Sequence, residues 1–82
     1  MNILVIDNDP AELERLTACL QEKGADVKVT AFTDPLLAVK YGYNNPVDVV
    51  YAKTDMRGLG GEDVARLLRN IHPDIRIELQ DT

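Results

Sequence analysis

Tryptophan is absent from this chain, and phenylalanine and cysteine occur once each. The single cysteine, Cys19, excludes an internal disulfide and fits a reducing, cytoplasmic setting. With so few large aromatics, any core must be aliphatic. Positive charge is also scarce: nine Lys and Arg stand against fourteen Asp and Glu, a net charge of −5. An acidic surface repels nucleic acid and anionic membranes, so both are excluded as expected partners. No apolar run approaches the length that spans a bilayer, and no basic segment precedes an apolar stretch as in a signal peptide. Repeats and low-complexity segments are missing too. What remains is 82 residues, 45% of them hydrophobic, enough for one small domain with a thin stability margin.

Short apolar runs alternate with helical patterns along the chain. "NILVI" (2–6) is continuous and β-branched, as in a strand covered on both faces. Asp9 before Pro10 is a helix N-cap with proline at the first helical position, and Glu12 completes a capping-box spacing. Leu13, Leu16, Thr17 and Leu20 then share one helical face, and Gly24 is the expected stop. A second strand is expected over 26–32. Asp34-Pro35 repeats the helix start, and that helix ends at Asn44-Asn45-Pro46. "VDVVYA" (47–52) is the third strand. A third helix is expected over 62–72, with Val64, Leu67, Leu68 and Ile71 on one stripe, ended by Pro73. "IRIEL" (75–79) is the fourth strand, and its strict alternation predicts one wet face. The order β-α-β-α-β-α-β predicts an α/β fold with a parallel sheet and right-handed crossovers.

The third strand delivers Lys53 to the rim of that sheet, beside a glycine-rich turn, where α/β proteins usually carry their chemistry. By itself, a lysine at a strand end most often lies solvated with its stem over apolar neighbours. Asp7-Asn8-Asp9 reads as a helix N-terminus, where acids are favoured, with Asp9 capping and Asp7 facing the rim. The Gly58–Gly61 stretch lacks a phosphate-loop spacing and reads as a turn plus a helix start. His72 is expected near a helix C-terminus in a favourable dipole contact. Cys19 is expected in the core or at its margin, and Tyr41 and Tyr43 on packing or contact surface.

"ILVIDNDP", "FTDPLLAVKYGYNNPVDVV" and "MRGLGGEDVARLLRNIHPDI" together resemble the receiver domain of two-component response regulators, most closely receivers that precede LytTR-type DNA-binding domains. The resemblance covers essentially the whole chain. It implies a flavodoxin-like (CheY-like) sheet of strand order 2-1-3-4, and a receiver truncated before its usual fifth strand and last two helices. It also implies a site. The acidic pair that holds Mg²⁺ in the family reads Asp7-Asn8 here, followed by Asp9. The phosphate-accepting aspartate falls on Lys53. The residue whose carbonyl ligates the metal is Asp55, and the Ser/Thr register of the fourth strand falls on Asp81, with Thr82 just beyond. The family's Met-Pro-Gly turn appears as Met56-Arg57-Gly58.

Aspartyl phosphorylation needs a carboxylate nucleophile and a divalent cation against the phosphoryl group. Here one carboxylate is an amide and another is a cation. The expectation is therefore a degenerate, non-enzymatic receiver that binds no metal and no cofactor. In it Lys53 pairs with Asp7 or Asp81 and takes over part of the ion's role. The rival expectation is the N-terminal part of a LytTR-type transcriptional regulator that still accepts phosphate, on Asp55 or Asp7. Expected partners are a histidine kinase or other signalling protein, and a second copy of the chain. The homodimer is expected through the fourth-strand edge or the uncovered sheet face, where apolar side chains of the first, third and fourth strands would otherwise meet water.

Overall fold

The computed structural model describes residues 1–56 and 58–80. Four strands, β1 (Asn2–Ile6), β2 (Lys28–Phe32), β3 (Val49–Lys53) and β4 (Arg76–Gln80), alternate with three helices, α1 (Pro10–Gln21), α2 (Pro35–Asn44) and α3 (Gly61–Arg69). All pair in parallel, in the order β2-β1-β3-β4. The α/β class is that expected from the pattern of the chain, and the strand order 2-1-3-4 is that implied by the resemblance.

Because side chains alternate along a strand, β1 and β3 each feed two cores. Ile3, Val5 and Val49 pack with Leu13 and Leu20 of α1 on one face. Leu4, Ile6, Val50 and Ala52 pack with Ala38 and Val39 of α2 and Val64 and Leu68 of α3 on the other. Leu4, Val5, Val50, Val64 and Leu68 are sealed from solvent, each contributing about 1.5–3 kcal/mol of burial.

Local chemistry explains the helix starts. Asp9 and Asp34 each accept a hydrogen bond from the backbone N–H two residues on, Ala11 and Leu36, and proline follows each cap. The capping box at α1 is not made: Glu12 pairs with Arg15, and the Asp9 N–H donates instead to Asp7 Oδ1 at 2.9 Å. Gly24 is not the helix stop either. Glu22 caps α1 in right-handed geometry, and Gly58 is the one positive-φ glycine among the described residues. β2 starts at Lys28 rather than Asp26, because Val27 N–H closes a turn onto Gly24 and the ladder begins with Lys28 N–H on Met1.

α3 ends at Arg69, which leaves Ile71 off the buried stripe and exposed. His72 then does something its position in the chain did not announce. Its Nε2 donates to the Gly42 carbonyl of α2 at 2.6 Å. That carbonyl would ordinarily receive the N–H four residues on, but that residue is Pro46, which has none. His72 therefore contacts a helix end as expected, but the end of α2 rather than of its own helix.

The α1 face of the sheet is less apolar at β3 and β4 than expected. Ile3, Val5 and Val49 are buried under α1, and β4 presents Arg76, Glu78 and Gln80 there. Arg76 and Glu78 are paired within the strand, Nε to Oε1 at 2.9 Å. The wet face read from the alternation of "IRIEL" is this one, and it replaces the expected apolar patch.

Candidate functional site

β1 and β3 are adjacent and parallel, so their C-terminal ends open on the same rim. Asp7 follows Val5 by two residues and Lys53 follows Tyr51 by two, so both fall on the α1 face. The rim and α1 enclose a cleft of about 690 Å³, lined by Ile6, Asp7, Asp9, Glu12, Arg15, Leu16, Cys19, Lys53 and Gln80.

The side chains in this cleft have distinct duties. Asp7 is buried, at 6% exposure. Its Oδ1 accepts the Asp9 N–H, and its own N–H donates to Phe32 of β2 at 3.2 Å. Asp9 is exposed and both lines the cleft and caps α1. Lys53 is half-buried, and its Nζ donates to Asn8 Oδ1 at 3.4 Å. The ion pairs among the described residues are Arg15–Glu12, Arg66–Asp63 and Arg76–Glu78. The expected Lys53–Asp7 bridge is therefore not formed. Asp7 is turned into the β1–α1 loop, where it holds the Asp9 amide, and the ammonium lies on the neutral amide that follows Asp7. The other expected partner, Asp81, lies outside the described residues. Asp55 is exposed and does not line the cleft.

The glycine turn fixes the end of β3. Thr54 N–H donates to Gln80 O at 3.0 Å, and Gly61 N–H donates to Thr54 O at 3.1 Å. A Cβ on Gly61 would stand 2.6 Å from the Lys53 carbonyl oxygen, so only glycine lets α3 start this close to the strand. Gly58, at φ 83°, takes the left-handed turn that permits this return.

Four polar side chains of the cleft were not among the expected site residues: Glu12, Arg15, Cys19 and Gln80. The first three sit at i, i+3 and i+7 on α1, so helical spacing could have found them. Cys19 is exposed, not in the core. Gln80 is opposite Lys53 in the β3–β4 register, which only the pairing reveals.

The donor set does not fit Mg²⁺, which takes hard oxygen ligands in octahedral geometry. Among the described residues no three His, Cys, Asp or Glu side chains are grouped to hold a metal ion. The rim offers Asp7 and Asp9, each with one oxygen already engaged by a backbone N–H, the Asn8 amide and a cation. No helix among the described residues is long and apolar enough to cross a membrane.

No family model and no curated protein matches the chain. Solved structures do. A response regulator receiver domain protein from Clostridium thermocellum is 26% identical over 98% of this chain and 64% of its own, with a TM-score of 0.87. The response regulator domain of Thermotoga maritima CheB is 23% identical over 99% of this chain and 60% of its own, with a TM-score of 0.83. A chain in the complex of histidine kinase ThkA with response regulator protein TrrA is 31% identical over 95% of this chain and 66% of its own, with a TM-score of 0.78. This chain thus spans less than two thirds of the length of each of these neighbours. It has the CheY-like receiver fold.

Proposed function

We propose, from that receiver fold, that this chain is a pseudo-receiver: a signalling module that acts through protein contacts and not through aspartyl phosphorylation. One observation carries the reading. The residue at the end of β3, on the same face as Asp7, is Lys53, with its ammonium on the Asn8 amide. An ammonium cannot serve as the carboxylate acceptor of a mixed acyl phosphate, and beside Asp7 it disfavours a divalent cation by direct repulsion. The amide at Asn8 removes a second anionic ligand. Asp7, Asp9 and Lys53 remain together as a small polar cluster that shapes the rim.

Two partners follow. The complex of a histidine kinase with a response regulator among the structural neighbours suggests a kinase surface as one. A second copy of the chain, across the β4 edge, is the other. The exposed thiol of Cys19 suits a reducing cytoplasm.

The rival is a phosphate-accepting piece of a LytTR-type transcriptional regulator. Its strongest support is Asp55, an exposed carboxylate two residues beyond β3. Incubation with acetyl phosphate and Mg²⁺, followed by intact-mass spectrometry, separates the two readings. The pseudo-receiver gains no phosphoryl group. A gain that disappears in Asp55→Asn or Asp7→Asn establishes the rival.

A further inference from the structure

We propose that two copies of this chain pair through β4 in one register, antiparallel about a two-fold axis at Ile77, so that Arg76 of each chain faces Glu78 of its mate. This deepens the reading of the chain as an interaction module and rests on it only for the purpose the dimer would serve.

The backbone fixes which groups are available. Arg76 N–H donates to Asp48 O and Gln80 O accepts from Thr54 N–H, so the even-numbered residues of β4 turn their amides and carbonyls toward β3. Ile77 and Leu79 therefore direct theirs to the outer edge, where no strand pairs among the described residues. A two-fold axis normal to the sheet keeps like faces together, so facing residues must share parity. Of the five residues that could carry the axis, three leave more than one facing position within the strand: Ile77, Glu78 and Leu79.

Charge selects among them. Centring on Glu78 sets two carboxylates directly opposite each other, which is destabilising. Centring on Leu79 sets Glu78 against Gln80 and leaves Arg76 without a facing residue in the strand. Centring on Ile77 sets Arg76 against Glu78 twice. Those two positions are also non-hydrogen-bonded pairs, where facing side chains are closest. Arg76 and Glu78 already bridge within one strand. In the dimer the four groups form a square of alternating sign on the wet face. On the opposite face Ile77 meets Ile77 and Leu79 meets Ile75, covering the exposed Leu79.

The test uses the 82-residue chain carrying Cys19→Ser, with Arg76→Cys on one preparation and Glu78→Cys on another. Mixing them under oxidised glutathione should yield a covalent dimer, because that pair brings the two thiols together while keeping one Arg76–Glu78 contact. Neither preparation alone should do so. On the wild type, light scattering should approach twice the 9.1 kDa chain mass as concentration rises from about 1 µM to about 1 mM. Amide exchange at Ile77 and Leu79 should slow in step. Arg76→Glu or Glu78→Arg should weaken dimerisation about tenfold or more, and the double reversal should restore it. A strict monomer, cross-linking of either preparation alone, or a mixture that does not cross-link would overturn the proposal. So would a strand from elsewhere in a longer product holding this edge, which would leave the two amides protected at every concentration. A chain that accepts phosphate yet forms the mixed disulfide would remove the pseudo-receiver reading and leave this one standing.

Discussion

Gly61→Ala tests how the start of α3 is fitted to the end of β3. In an ordinary helix the change is favourable by about 1 kcal/mol, because alanine is the better helix former. Gly61 has no positive φ, so the backbone itself raises no objection. The objection is steric. The new methyl would lie 2.6 Å from the Lys53 carbonyl oxygen, 3.1 Å from its carbon and 3.0 Å from Leu79 Cδ2. Leu79 can rotate away, but the Lys53 carbonyl belongs to the β3 backbone and cannot move without disturbing the strand. Relief requires α3 to retreat by several tenths of an ångström, against Val64 and Leu68, which are fully buried. Overpacking of this kind costs about 1–3 kcal/mol. Set against the propensity gain, a net loss of about 0–2 kcal/mol is expected. For a chain of this length, total stability is about 4–12 kcal/mol, so the loss is easily seen. Gly24→Ala is the matched control: nothing lies within 4 Å of its added carbon and its φ is ordinary. It should gain about 0.4–1 kcal/mol through the unfolded chain. Urea unfolding followed by far-ultraviolet circular dichroism reads both, with midpoints moving in opposite directions at constant slope. If Gly61→Ala proves as stable as Gly24→Ala, the close approach of α3 to Lys53 is not a constraint and the reasoning fails.

Lys53→Met should change stability by no more than about 0.5 kcal/mol, since the lysine makes one long hydrogen bond to an exposed amide; a loss of several times that in urea unfolding at low salt would reveal an ionic role. Asp7→Ala should cost about 1–3 kcal/mol by orphaning the Asp9 amide, with Asp7→Asn recovering part of it because its oxygen can still accept; equal losses for the two would show that the β1–α1 turn does not depend on this bond. His72→Ala should cost about 1–2 kcal/mol by leaving the Gly42 carbonyl without a donor, and exchange of α2 amides should accelerate; unchanged exchange would mean that α2 ends independently of α3. Calorimetric titration with Mg²⁺ should give no sub-millimolar binding, and heat that vanishes in Asp7→Ala would contradict the degenerate site.

The parts of this protein that its sequence determined are those set by nearest neighbours. Asp9-Pro10 and Asp34-Pro35 start helices because cap and ring geometry act within a few residues. The parallel order follows from alternation of short apolar runs with helical stripes. The wet face of β4 is written in Ile-Arg-Ile-Glu-Leu because a strand sorts its side chains by parity. The rim could be located by the same logic, with Asp7 and Lys53 at strand ends, although the adjacency of those two strands was implied only by the family resemblance. Side-chain partners, by contrast, depend on loop geometry at the rim. Lys53 lies on Asn8, and Asp7 faces the Asp9 amide, because the β1–α1 turn consumes the carboxylate locally before a cation across the sheet can claim it. The need for glycine at position 61 comes from a carbonyl eight residues earlier, and the role of His72 from a proline-deprived carbonyl on another helix. Gln80 joins the cleft only through the β3–β4 register. Apart from the local Asp7–Asp9 bond, each of these is a distance between separate elements, and only the packing of the sheet and helices fixes such distances.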